Sequence, residues 1–324
     1  MKKSLLVTCC LVVFMLVFFG CKKNGTKIVL YSCAEDYRNE FYLKGLREKF
    51  PQYDFSLDYM SSGSSAAKLK AEGRKSQGDI LLSWEYGYLE MNKDVLADMT
   101  YFDDSIYLDD MKVESHRWVG EYRNSGCIIL YPKLLEERGL AKPESYEDLL
   151  KPEYKGMISM PNPKTSGTGY MFLKNLVNAM GEDKAFDYFD KLSENILQFT
   201  SSGSGPINAM IQGEAAIALG MTGQAVTSIN DGVPLEITFF AEGAPCSFYG
   251  HAITAKGEQR PEVKEVFDYL VKEVTPACDA AFFPEQVFVD KVFSLPNYPE
   301  NIPYGDMSGD TSAEKMRLLA KWKY

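Results

Sequence analysis

The sequence predicts an α/β protein with mainly parallel sheets, because short apolar runs rich in β-formers alternate with helical patterns and a Ser/Gly loop recurs between them. The first such unit is Ile28-Val29-Leu30-Tyr31, the loop Ser32-Cys33-Ala34, and a helical stretch with Phe41, Leu43 and Leu46. The second runs 55–60, then Ser61-Ser62-Gly63-Ser64-Ser65, then an Ala/Lys helix ending near Gly73. In the third, a strand at 157–160 and a loop at 161–169 lead into a helix whose Leu173, Leu176, Val177 and Met180 follow the i, i+3, i+4, i+7 spacing of a buried face. The fourth is a strand at 196–200, the loop Ser201-Ser202-Gly203-Ser204-Gly205-Pro206, and a short helix with Ile207, Met210 and Ile211 that stops at Gly213.

Further strands are expected at 80–83, 127–131, 215–219 and 237–240, and a helix over 261–274 with Val263, Val266, Phe267 and Leu270 on one face. No low-complexity linker divides the chain. If it forms two lobes, it crosses between them through extended segments, for which 125–131 and 246–254 are the candidates. Open α/β sheets bind ligands beyond the C-terminal ends of their strands, where all four Ser/Gly loops would lie.

The N-terminus carries a secretory pattern: Lys2 and Lys3, then an apolar run from Leu5 to Phe19 that is too short for a membrane span and ends in Gly20-Cys21. Residues 1–20 read as a signal peptide, with Cys21 as the lipidated first residue of a tether over 21–26. The expected protein is therefore held outside the cytoplasmic membrane. Phe stands where the lipoprotein pattern has Leu and a small residue, so an uncleaved anchor is the alternative. Losing Lys2 and Lys3 takes the formal charge from −10 to about −12, a poor balance for nucleic acid, whose affinity comes from Lys and Arg on phosphates. Cys33, Cys127, Cys246 and Cys278 are too widely spaced for a zinc site and too few for a disulfide scaffold. Free thiols or one or two bridges both remain open.

A helix N-terminus offers free N–H groups and a partial positive charge, and glycine lets an anion approach the backbone. Lys164-Thr165-Ser166-Gly167-Thr168-Gly169 meets that requirement better than any other stretch. A single such loop would be a plain helix cap; four at equivalent places point to a polar binding cleft. Enzyme signals are weak by comparison. His116 and His251 have no partner at metal-ligand spacing, Gly203-Ser204-Gly205 is not a nucleophile elbow, and no loop ends in the Gly-Lys-Ser/Thr of a nucleotide phosphate loop. No cofactor and no metal are expected.

Five blocks occur in order: Ile28-Val29-Leu30-Tyr31-Ser32, Gly78-Asp79-Ile80-Leu81-Leu82, residues 161–169, Gly213-Glu214-Ala215-Ala216-Ile217, and Gly250-His251-Ala252-Ile253 before a Pro-Glu-Val-Lys helix. Together they resemble the ferric-iron, hexose-phosphate and aminoethylphosphonate branch of bacterial ABC-transporter solute-binding proteins. The resemblance implies a two-lobed periplasmic-binding-protein fold with two hinge crossovers, lobe 1 from 27–124 and 248–285, lobe 2 from 125–247 and 286–324. It implies a monomer that closes on a small anionic ligand and delivers it to a permease. Iron binders of the branch use adjacent tyrosines where Gly220-Met221-Thr222 stand here, and a His where Glu35 stands; only Glu85 lies near a family ligand position. Fe(III) wants anionic oxygen ligands, so the usual iron site is disfavoured. The expected ligand is a phosphate ester or phosphonate, with a sugar phosphate first. Ser166, Gly167, Thr168 and Gly169 would cradle the phosphate, and Ser32, Ser62, Gly63 and Ser64 would approach from the other lobe. Ser201, Ser204, Thr222 and Gln224 would bond the rest, Trp84 would cover it, and Lys164 or His251 would add charge. The rivals are iron by a rebuilt site, thiamine, a polyamine, an exported hydrolase, and a surface lipoprotein that contacts a host or matrix.

Overall fold

The computed structural model describes residues 25–324, so the apolar run and Cys21 lie outside the described residues. No helix among the described residues is long and apolar enough to cross a membrane. The strands are β1 (Thr26–Ser32), β2 (Tyr53–Tyr59), β3 (Ile80–Glu85), β4 (Val119–Leu130), β5 (Ile158–Pro161), β6 (Ile196–Thr200), β7 (Ile217–Met221), β8 (Glu236–Thr238) and β9 (Cys246–Ile253). The helices are α1 (Asp36–Lys49), α2 (Ser62–Glu72), α3 (Tyr86–Met91), α4 (Pro132–Glu137), α5 (Gly167–Met180), α6 (Glu182–Leu192), α7 (Gly205–Ile211), α8 (Thr222–Asn230), α9 (Pro261–Tyr269), α10 (Thr275–Phe282) and α11 (Ser312–Lys321). A π-turn over Leu270–Val274 joins α9 to α10.

The strands form one path, β2-β1-β3-β9-β4-β7-β5-β6, with β8 on β4. β1 pairs parallel with β2 and β3, and β5 parallel with β6 and β7, so the strand–loop–helix units build the parallel parts as the alternation predicts. The antiparallel pairs all involve β4 or β9. β4 runs twelve residues and belongs to both halves of the sheet. Its residues up to Ser125 pair with β9, and from Gly126 onward it pairs with β7. Glycine is required at the change of partner, because a Cβ on Gly126 would lie 2.7 Å from Pro245 and 2.8 Å from the Phe172 ring.

Alternation along the strands packs each half between two helical layers. In the first half Ile28, Leu30, Ile80 and Leu82 meet Tyr42 and Leu46 of α1 and Val263, Val266 and Phe267 of α9. Tyr31, Leu81 and Trp84 face the other way, onto Ala66 and Leu69 of α2 and Tyr88 and Leu89 of α3. In the second half Ile158, Met160, Ile217 and Leu219 pack on α5, α6 and Leu318 of α11, while Ile129 and Ala218 pack on α7 and α8. Val287 and Phe288 belong to the first core, and Leu318 and Trp322 to the second. The chain thus passes between the halves a third time after Phe288. Cys33, Cys127, Cys246 and Cys278 are all free thiols, and burial pushes Cys127 and Cys278 up to about 12.

His251, expected to add charge to a cleft, is instead fully buried in β9. Its Nδ1 accepts from the Ser83 N–H at 3.1 Å, so Nε2 carries the proton and donates to Thr275 Oγ1 at 3.0 Å. Burial, opposed by Glu121 and aided by Arg38, holds the imidazole below its ordinary value. A base that is harder to protonate folded than unfolded contributes stability in full above the unfolded value of about 6.5, and loses it as pH falls toward the lower folded value. Buried Asp279, pushed up by burial and Glu121, has the opposite sign, losing its contribution as pH rises. His251→Gln is therefore expected to flatten the fall in urea midpoint as pH drops below about 6.5. An unchanged slope in the variant would assign that pH dependence to another group.

Candidate functional site

The loops at the strand ends of the two halves meet across a cavity lined by Cys33, Glu35, Tyr59, Ser61 and Ser62 on one side and Ser166, Gly167, Thr168, Ser202, Gly203, Ser204 and Met221 on the other, with Tyr249 of β9 between them. Of the residues expected from sequence, Ser62, Ser166, Gly167, Thr168 and Ser204 are brought together here. Ser166 is the N-cap of α5, extended at φ −123°, and its Oγ accepts from Gly169 N. The first N–H groups of a helix have no intrahelical acceptor, which leaves those of Gly167 and Thr168 to face the cavity that these two residues line.

The halves are in contact. The Gly63 N–H donates to Thr165 O at 3.0 Å, and a Cβ on Gly63 would lie 2.5 Å from Lys164 O. The Ser202 and Ser204 hydroxyls lie beside the Tyr59 phenol. A Cβ on Gly167 would meet Tyr249 Oη at 2.8 Å and Glu85 Cβ at 3.0 Å. At the edge, Lys315 of α11 pairs with buried Glu85 of β3, and its ammonium sits 4.0 Å from the Tyr88 ring centre and 4.2 Å from that of Tyr170. Glu85 also accepts from Ser247 Oγ at 2.9 Å. The enclosed space is ≈ 20 Å³, little more than the ~10–15 Å³ one water needs by the same measure. As it stands this space is too small for a phosphate ester.

Beneath the cavity Arg38 is fully buried between Tyr122 and Phe283, 4.4 and 4.7 Å from their ring centres. It pairs with Glu121 and donates through Nη1 to Glu35 Oε2 at 3.2 Å. Tyr42 Oη and Ser83 Oγ also donate to Glu121. Burial pushes the Cys33 thiol up to about 12, so it lines the cavity in its neutral form.

Several expected residues do other work. Trp84 is fully buried in the core on α2 and α3, and its Nε1 donates to Tyr31 O at 2.9 Å, so it covers no ligand. Ser32 is buried with its hydroxyl on Asn39 and the Ala34 N–H. The Gly63 N–H is taken by Thr165. Ser64 and Ser201 are exposed away from the cavity, as is Lys164. Gly169 is a packing position, its absent Cβ 2.5 Å from Pro161 O. Thr222 and Gln224 are buried at the start of α8, while Met221 forms the wall. Sequence reasoning missed Cys33, Tyr59, Ser61, Ser202, Gly203 and Tyr249, although Tyr59 and Ser61 flank the end of a predicted strand. Glu35 entered only as the residue standing in for a histidine. Among the described residues no group of three or more His, Cys, Asp or Glu side chains is placed to hold a metal ion.

The family described as bacterial extracellular solute-binding protein matches residues 96–306. An uncharacterized protein of Haemophilus influenzae is 27% identical over 286 residues, 84% of this chain and 80% of its own length. The periplasmic binding protein AfuA of Actinobacillus pleuropneumoniae, with exogenous fructose-6-phosphate bound, aligns with a TM-score of 0.81 at 24% identity, covering 92% of this chain and 97% of that one. The periplasmic binding protein P5PA also gives 0.81, at 23% identity, covering 92% of this chain and 98% of its own. At such identities the structural likeness carries the fold.

The reassignment of Trp84 has a direct consequence. Trp84→Phe is expected to cost about 1–3 kcal/mol, the price of leaving a buried carbonyl without its donor, in urea unfolding. Ligand affinity should stay within twofold or so of the parent, as for a core change away from the cavity; a stable variant with lost binding would return Trp84 to the site.

Proposed function

The chain belongs to the bacterial extracellular solute-binding proteins, and from that premise we propose that it captures a small phosphorylated or phosphonate ligand, a sugar phosphate first, and delivers it to an ABC permease. The observation that carries this reading is the N-terminus of α5, where Ser166, Gly167 and Thr168 open onto the cavity opposite Ser61 and Ser62. Backbone N–H groups at the positive end of a fourteen-residue helix suit a phosphate oxygen, and serine and threonine hydroxyls pivot to complete its bonds. Within the reading, Cys21 carries a lipid that keeps the protein near the permease. Labelling with a palmitate analogue should then mark the parent and miss Cys21→Ser.

Ligand capture follows from the geometry of closure. One set of donors sits on each half, so a ligand bonds both sets only when the halves approach, and it favours the closed form by that difference in affinity. Iron is served poorly by the same walls. Tyr59 and Tyr249 are the phenols that line the cavity, and burial with nearby Glu85 and Glu35 charge pushes both up, against phenolate. A polyamine or thiamine would find one lining carboxylate, Glu35, already paired with Arg38.

A thermal-shift screen tests the reading, with fructose 6-phosphate, aminoethylphosphonate, inorganic phosphate, thiamine, spermidine and Fe(III) as probes. At roughly 1,000-fold excess over Kd a bound ligand adds about 4 kcal/mol of apparent stability. A phosphate ester or phosphonate is expected to give the shift; a shift with Fe(III) or a cation alone would sink the phosphate cradle. Gly167→Val blocks backbone approach and collides with Tyr249, while Thr168→Pro removes a free N–H in the first helical turn, where proline is tolerated. Each should fold normally and weaken binding by about 100-fold, the loss of roughly 2–3 kcal/mol of charge-assisted bonding. Unchanged affinity in both would misplace the cradle.

A further inference from the structure

The wall opposite the phosphate cradle contains a carboxylate that the fold leaves half-used. Glu35 is the N-cap residue of α1, yet its side chain makes no capping bond. It turns into the cavity instead, with 9% of the side chain exposed. One oxygen, Oε2, accepts from Arg38 Nη1 at 3.2 Å. Among the described residues no donor reaches the other oxygen, Oε1. Arg38 cannot yield this position easily, since Glu121 and the rings of Tyr122 and Phe283 clamp its guanidinium below the cavity. The remaining lining groups are thiol, phenol, hydroxyl, thioether and backbone.

We propose that Glu35, fixed in place by Arg38, is the specificity-determining acceptor of the cleft, selecting phosphate-bearing ligands whose organic part presents hydroxyl groups. The inference rests on the phosphate reading of α5. Oε1 keeps solvent access in the cleft, so an organic part without a donor would strip its water unreplaced, whereas a ligand that brings an O–H keeps the oxygen bonded. Inorganic phosphate has no organic part to reach Oε1 from the cradle. Arg38 holds Oε2 in place, so Oε1 is presented to the ligand in a fixed direction. Arg38 acts here as a positioning residue.

The test is calorimetric titration of the parent protein, Glu35→Gln and Arg38→Lys with fructose 6-phosphate, aminoethylphosphonate, phenyl phosphate and inorganic phosphate. The parent is expected to prefer fructose 6-phosphate over phenyl phosphate and inorganic phosphate by about 100-fold or more, the scale at which unpaired polar groups discriminate. Glu35→Gln should cut that preference by about tenfold or more while leaving inorganic phosphate binding equal or tighter. Arg38→Lys should erode the same ratio, whereas mere structural damage would weaken all probes alike. If aminoethylphosphonate is preferred over fructose 6-phosphate, the hydroxyl assignment is overturned. If phenyl phosphate binds the parent as well as fructose 6-phosphate, or Glu35→Gln leaves the ratios unchanged, Glu35 is not the selector. Those outcomes leave the cradle intact as long as Thr168→Pro, which removes only a free N–H, still weakens binding of every phosphate probe. No binding of any phosphate compound removes the cradle, and this inference with it.

Discussion

Every part of the cleft is placed by β4, a single strand that belongs to both halves of the sheet. A strand shared in this way joins the two cores at one change of partner, between Ser125 and Gly126. The return through Pro245 into β9 lies against the same point, with the Gly126 N–H on Pro245 O at 2.8 Å. Two adjacent crossings define an axis, and the Ser/Gly loops lie at strand ends on either side of it. The third passage, after Phe288, ends in α11, which packs through Leu318 on the second core and reaches Glu85 of the first with Lys315. A hinge motion must therefore either part that ion pair or carry the helix with it.

Two of the contacts between the halves show what kind of term opposes their parting. A buried ion pair gains in Coulomb energy roughly what it loses in desolvation, so Lys315 and Glu85 contribute geometry more than affinity. The bond from Gly63 to Thr165 replaces one that each group could make with water, for a net gain near 1 kcal/mol. Terms of this size are ones that the binding of a small ligand can outweigh. The short distances at Gly167 and Gly63 show how near the halves come, and why side chains are absent there.

The strand–loop–helix units were legible because each strand carries apolar β-formers and a loop with small polar residues separates it from a helical pattern. What escaped the sequence was buried polarity. The first half of β4 reads as a polar stretch, since Glu121, Arg123, Asn124 and Ser125 give no strand alternation, yet Glu121 is buried because Arg38 of α1 meets it. Trp84 looked like a residue beyond a strand end because Ser83, at φ +57°, interrupts the pattern; the strand continues through that irregularity and buries the indole. The Ser61 to Ser65 run looked like loop, whereas α2 begins at Ser62, serine being a good helix opener. α11 had a readable signal that went unused: Thr311 and Glu314 stand at capping-box spacing, and Thr311 Oγ1 accepts the Glu314 N–H. Glu35 was weighed only as a failed histidine, since nothing in the sequence places its carboxylate against Arg38.

On the phosphate reading proposed above, a protein of formal charge −10 needs the positive potential that meets its anion to be local. Helix N–H groups supply it without a lysine or arginine in the cavity wall, and because such donors are fixed in direction they reward one placement of the phosphate. Neutral donors also allow release, since an ammonium and a phosphate drawn together in a closed low-dielectric cleft would separate slowly. The one arginine near the site is withheld below it, its charge met by Glu121 and Glu35. On the proposed reading its part is to orient the Glu35 carboxylate as an acceptor for the ligand's other end. The cleft thus has a donor wall on α5 and an acceptor on α1, on opposite halves of the sheet. Only a ligand long enough and suitably polar at both ends satisfies both walls at once, and that requirement ties what is recognised to whether the halves close.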